Sequence, residues 1–131
     1  MTLNIFGVGT DIVKNSRIKK LIKNKKFINR IFTSSEIKDS KKINQKVLFF
    51  SKRFAAKEAF VKSLGTGFAH NINFKDINVS KKRSGKPYLT LSNKLKNILK
   101  RKLKLKKFKI FLSLSDEREY SVAYVITQKI K

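Results

Sequence analysis

The chain has 131 residues, 40% hydrophobic and 11% aromatic, enough for one compact core and too few for two. It has no cysteine and a single histidine, His70, which excludes a disulfide framework, a thiol nucleophile and a histidine metal cluster. Its net charge is +25, but the cations run from Lys14 to Lys131 with little clustering, and only six of the 33 are arginine. Arginine is the residue that specific nucleic-acid contacts favour, so the sequence disfavours a nucleic-acid role despite the charge. No segment is apolar for long enough to span a bilayer, and "MTLNIFGVGTDIV" lacks the basic-then-apolar order of a secretory signal. The chain therefore reads as soluble and cytoplasmic, with no membrane partner.

In chain order, "NIFGVGTDIV" reads as a first strand in which Gly7 and Gly9 suggest a close backbone approach or a bend. "SRIKKLIKN" follows as a helix with Ile18, Leu21 and Ile22 on one face. "TSSEI" matches a capping box, Thr33 at the cap and Glu36 three residues on, which accounts for Glu36 structurally. Residues 46 to 64 form a helical run that stops at Gly65. "INFKDINVS" and "PYLTLS" alternate as two strands joined by a turn around Gly85. "NKLKNILKRKL" puts Leu95, Ile98, Leu99 and Leu103 at helical spacing, and this basic run reads as a surface helix with its apolar side on the core. "FKIFLSLS" and "YSVAYVIT" close the chain as a strand pair with a turn near "DERE". Strands and helices do not alternate strictly, so the fold class is α+β, a single domain over residues 1–131.

Two acidic residues stand out. Glu58 lies in a helix that projects Phe49, Phe50, Phe54, Ala56, Phe60, Val61 and Leu64 all round, as a buried helix does. Lysines in such a helix can extend their stems to water, but a glutamate has less reach and needs a cation beside it. Lys62, one turn on, would provide an ordinary ion pair, and a metal ion is the other candidate. Ala55, Ala56 and Ala59 allow another element to approach the helix closely. Asp11 ends a strand-like run and precedes Ile12 and Val13, where a neutral residue is expected. Its plain role is a helix N-cap, which Asn15 or Ser16 could fill nearer the helix. Two carboxylates from separate elements, with phosphate oxygens, also make the kind of site magnesium accepts. "GTG" at 65–67 adds backbone N–H groups at the helix end.

The segments "GVGTDIV", "RFAAKEAFVKSLGTG", "DINV" followed by "SGKPYL", and "SLSDEREYSVAYVI" resemble, in this order and over nearly the whole chain, the holo-acyl-carrier-protein synthases, small bacterial 4'-phosphopantetheinyl transferases. The resemblance implies the transferase fold, an antiparallel sheet packed with a long buried helix in one small domain that trimerises. It implies transfer of 4'-phosphopantetheine from coenzyme A to a serine of apo acyl carrier protein, with release of adenosine 3',5'-bisphosphate, in fatty acid biosynthesis. It further implies that Asp11 and Glu58 hold Mg²⁺, that Glu58 and Lys62 serve catalysis, and that Arg53, Gly65, Thr66, Lys86 and Pro87 fall in segments lining the coenzyme A site. Arg17 matches a basic position that meets the acidic carrier protein, and active sites lie between subunits of a homotrimer. The charge suits both polyanionic partners. One position departs from the usual pattern, because Asp116 stands in "SLSDE" where relatives usually carry histidine: either that histidine is dispensable to the chemistry, or the enzyme is slow, or a nearby lysine compensates. The competing readings are a basic RNA-binding module and a catalytically decayed paralogue.

Overall fold

The structure is a computed structural model that describes residues 4–131. Its elements are β1 (Ile5–Lys14), α1 (Asn15–Leu21), α2 (Lys25–Ile31), α3 (Ser34–Ser40), α4 (Lys46–Leu64), β2 (Ile77–Lys81), β3 (Pro87–Leu91), α5 (Asn93–Lys102), β4 (Lys107–Asp116) and β5 (Tyr120–Ile130). The strands form two antiparallel sheets, one of order β1-β5-β4 and one of β2 with β3. The α+β expectation is met.

Helix α4 has the bounds its composition predicts. It contains no glycine or proline, and Gly65 ends it in the left-handed region at φ 77°. Thirteen of its residues are buried, so packing around most of its circumference holds it, in place of an N-terminal side-chain cap, which it lacks. It lies across β1 and β5. The two glycines of β1 make this crossing possible. A Cβ on Gly9 would stand 1.8 Å from the Ala59 carbonyl oxygen, and one on Gly7 would stand 1.8 Å from that of Ser63. Backbone therefore rests on backbone, with Ala59 as the small residue on the helix side.

Alternation then decides which face of β1 meets the helix. Gly9 and Val13 are buried while Val8, Thr10, Ile12 and Lys14 are exposed, so Asp11 shares the helix-facing side. It sits mid-strand, opposite Ala123 of β5, and does not end the strand. The capping box at Thr33 and Glu36 is present. The apolar side of α5, Leu95, Ile98 and Leu99, is buried as expected.

Three local expectations are corrected. Neither Asn15 nor Ser16 caps α1. Lys14 holds the cap position without a side-chain bond, and Asn15 is the first helical residue. Residues 25–31 form α2, started by Asn24, whose side chain accepts from the Lys26 N–H; this element is absent from the sequence reading. The first half of "INFKDINVS" is a 3-10 turn over Phe74–Asp76, with the strand starting only at Ile77.

Candidate active site

The close approach of β1 to α4 brings Asp11, Glu58 and Lys62 to one place. The Lys62 ammonium donates to Asp11 Oδ1 at 3.1 Å and to the Thr10 carbonyl at 3.0 Å. The ion pair considered between Glu58 and Lys62 is therefore not formed, because Lys62 reaches across to β1. Asp11 is 15% exposed and Lys62 55%, so the cluster opens to solvent on one side. Glu58 itself is half-buried, not enclosed as a fully buried helix implies.

Burial pushes the Glu58 pKa above the ordinary glutamate value; the Asp11 charge adds to the rise, while Lys62 and Arg17 oppose it. Two carboxylates thus repel each other with one exposed lysine between them and Arg17 nearby. That is an incomplete charge balance, and a divalent cation would complete it. The donor set fits magnesium chemistrally in kind: hard oxygens only, with no histidine or cysteine. Among the described residues no group of three or more potential metal-ligating side chains occurs, so the remaining ligands would be water and substrate oxygens.

Arg17 is exposed on α1, with its guanidinium 5.9 Å from the centre of the Phe54 ring. Phe54 in turn stacks on Phe74, and Phe74 on Phe68, giving a half-open aromatic surface beside Glu58's face of α4.

Of the other singled-out residues, Gly65 and Thr66 adjoin Lys62 in sequence, and the rest stand on other parts of the fold. Arg53 is 3% exposed, stacked 3.5 Å from the Phe49 ring centre, and its Nε has no partner among the described residues. Burial lowers its pKa, opposed by the charges of Glu36 and Asp39. With Lys81 it lines two adjoining cavities of about 310 and 390 Å³. Gly65 and Thr66 follow Lys62 at the end of α4, while Lys86 and Pro87 stand at the turn into β3. The Gly65 N–H donates to the Lys62 carbonyl at 3.1 Å, but no side-chain hydrogen bond among the described residues joins any of these five to Asp11, Glu58 or Lys62. Asp116 pairs with Lys52 of α4 at 2.9 Å, so a lysine does accompany the acid that replaces the usual histidine.

One charged pair escaped the sequence reading. Lys57, expected to reach water, is 0% exposed and meets Glu36, also 0% exposed, at 2.7 Å. Its Nζ also donates to the Ile31 carbonyl, and Glu36 accepts the N–H groups of Thr33 and Val79. Glu36 is thus a cap and a buried counterion together. The only signal for this was a lysine among apolar neighbours.

A small α+β chain with two carboxylates and a lysine set between a glycine-bearing strand and a long helix defines a class. This chain belongs to the 4'-phosphopantetheinyl transferase superfamily, whose sequence model matches residues 7–125. It is 56% identical over 127 residues to a holo-[acyl-carrier-protein] synthase of Pelagibacter ubique, covering 97% of this chain and 99% of that one. Among solved structures, the holo-[acyl-carrier-protein] synthase of Neisseria meningitidis superposes with a TM-score of 0.86 at 35% identity, covering 95% and 99% of the two chains. That of Bacillus anthracis, in complex with coenzyme A (3',5'-ADP), gives 0.81 at 33% identity, covering 97% and 99%. No helix among the described residues is long and apolar enough to cross a membrane.

Proposed function

We propose that this protein transfers 4'-phosphopantetheine from coenzyme A to a serine hydroxyl of apo acyl carrier protein and releases adenosine 3',5'-bisphosphate. The observation that carries the reading is the convergence of Asp11, Glu58 and Lys62, in a chain more than half identical to a holo-acyl-carrier-protein synthase. In the reaction the serine oxygen forms a bond to phosphorus of the pyrophosphate and gives up its proton to water, the bond to the bridging oxygen breaks, and the nucleotide leaves with the electron pair. Negative charge grows on the leaving and non-bridging oxygens, and neutralising it is the main catalytic task. Mg²⁺ held by Asp11 and Glu58 would supply charge to those oxygens. Lys62 has one N–H left after bonding Thr10 and Asp11, and offers it to the same phosphates. The nucleophile belongs to the carrier protein, and no residue here is asked to be one.

Residues 1–131 make one transferase domain in this reading. Arg17, exposed beside the aromatic surface of Phe54, meets the acidic carrier protein. Arg53, Gly65, Thr66, Lys86 and Pro87 bind coenzyme A; the unpartnered, buried Arg53 Nε beside a cavity suits a phosphate. That Arg53, Lys86 and Pro87 make no hydrogen bond to Asp11, Glu58 or Lys62 within one chain supports a site completed across subunits of a homotrimer. The sheet face turned away from α4 supports the assembly as well. It exposes Val8, Ile12, Phe111 and Tyr124, with Ile12 63% exposed, where a solvated sheet would alternate to polar residues.

Incubation with apo acyl carrier protein, coenzyme A and Mg²⁺, read by mass spectrometry, tests the activity. The expected result is a gain of one 4'-phosphopantetheine per carrier protein. An unchanged mass with folded enzyme would overturn the reading in favour of a decayed paralogue. Light scattering tests the assembly, and an active monomer at micromolar concentration would remove the homotrimer.

A further inference from the structure

We infer that Asn15 is a positioning residue for carrier-protein docking: it makes the β4–β5 turn into the N-terminal support of α1 and so sets the placement of Arg17. This rests on the reading of α1 as the docking helix.

Helix α1 has seven residues, no side-chain cap and no acid in its first turn, and a helix that short does not hold itself together. Two of its residues are buried, Ile18 and Asn15. Ile18 gives apolar contact, which fixes depth but not direction. Asn15 supplies direction. Its backbone N–H donates to the Glu119 carbonyl at 2.8 Å. Its side-chain Nδ2 donates to the Glu117 carbonyl at 3.0 Å and the Arg118 carbonyl at 3.2 Å. Its Oδ1 accepts from Ser121 Oγ at 2.7 Å, and Ser121 is fully buried. Three successive carbonyls of the β4–β5 turn thus converge on one residue, both amide hydrogens are used, and the amide orientation is set by its partners.

An isosteric side chain without donors would leave the Glu117 and Arg118 carbonyls unpaired against the buried end of the helix, and the turn would have to move outward to hydrate them. Arg17 lies two residues beyond Asn15, in the same first turn, so loosening that turn displaces the guanidinium from Phe54. Asn15 makes no bond to Asp11, Glu58 or Lys62, nor to Arg53, Gly65, Thr66, Lys86 or Pro87, so those residues keep their own contacts. A merely structural Asn15 would lower the melting temperature and leave both Michaelis constants alone.

The test measures KM for apo acyl carrier protein and for coenzyme A, separately, in Asn15→Leu, Ser121→Ala and Arg17→Glu. Asn15→Leu is expected to raise KM for the carrier protein about tenfold, and KM for coenzyme A less than about twofold. Ser121→Ala removes one bond of the clamp and keeps the turn contacts; a rise of about twofold to threefold is expected, measurable even if Asn15→Leu fails to fold. If Arg17→Glu raises the carrier-protein KM while the two clamp variants leave it unchanged, or raise both constants equally, this inference is overturned and the docking reading stands. If Arg17→Glu itself leaves that KM unchanged, α1 is not the docking helix and both fall.

Discussion

Lys57 and Lys62 leave the same helix five residues apart, and each meets a carboxylate from another element. Lys57 and Glu36 are 0% exposed, and they also bond the backbone of Ile31, Thr33 and Val79. Lys62 is 55% exposed beside Asp11, and next to that pair lies Glu58, whose carboxylate no hydrogen bond engages among the described residues. The first pair is finished: it ties α2, α3 and β2 to α4 and is enclosed where no ligand can reach it. The second is unfinished, with two acids sharing one solvent-facing lysine. Charge left unbalanced in a half-open place is what distinguishes a site from a strut.

The comparison breaks most visibly at the finished pair. Lys57→Met leaves Glu36 ionised and enclosed, and the expected loss of stability is about 3–5 kcal/mol, read by urea unfolding. Adding Glu36→Gln should recover part of that loss, because the buried charge is then gone. If Lys57→Met alone is neutral, the pair does not hold the three elements together. The unfinished pair should respond in the opposite way. Glu58→Gln is expected to cut turnover by about a hundredfold or more, since several kcal/mol of charge stabilisation are lost. Its melting temperature without metal should hold or rise, and higher Mg²⁺ should restore part of the activity. Near-normal turnover with a lowered melting temperature would make Glu58 a strut as well.

A pH series sharpens the second half of this contrast. The native Glu58 binds its proton more tightly than the unfolded chain does, because burial and Asp11 disfavour its charged form. The stabilisation this gives is complete below the ordinary glutamate value of 4.5 and is lost as pH rises through the higher native value. Glu58→Gln lacks this titration. In metal-free buffer its melting temperature should therefore match wild type most closely in acid and gain on it towards neutral pH, as calorimetry at several pH values would show. A difference independent of pH would mean that Glu58 feels neither burial nor Asp11.

The two regions were unequally legible. Helix α4 declared its bounds through an apolar run without glycine or proline and the stop at Gly65. Gly7 and Gly9 announced the close crossing that puts Asp11 against it. Glu58 and Lys62 stood out as charges in an apolar helix and then matched a family motif, which is why these two residues could be singled out in advance. The buried pair could not. Glu36 already had a local explanation in its capping box, and nothing in the sequence ties it to Lys57, 21 residues on. The support of α1 was hidden for a similar reason: Asn15 looked like a cap, and the carbonyls of residues 117–119 that it holds carry no sequence signature. Helix α2 was too short to show a periodic pattern.

A third acid–lysine pair on α4 lies between these extremes and carries the smallest expected effect. Lys52 and Asp116 meet at 2.9 Å with side chains 23% and 30% exposed, neither enclosed nor fully open. An ion pair in that setting contributes about 1 kcal/mol or less, so Asp116→His should shift the melting temperature little. The same two residues line a cavity with Arg53 and Lys81, where three cations face one carboxylate. Removing that carboxylate raises the positive charge of the cavity and frees Lys52, so KM for coenzyme A should hold or fall and turnover should be kept or raised. Asp116 could instead serve by aiming Lys52 at a phosphate. Then Asp116→His would raise KM for coenzyme A by about threefold or more while the fold stayed intact, a loss of the size expected when one charge-assisted contact is misplaced. Lys52→Met separates the cases: if the lysine contacts cofactor, its loss raises that KM whatever stands at 116, and if it only neutralises Asp116, Lys52→Met hurts the wild type and spares the Asp116→His protein.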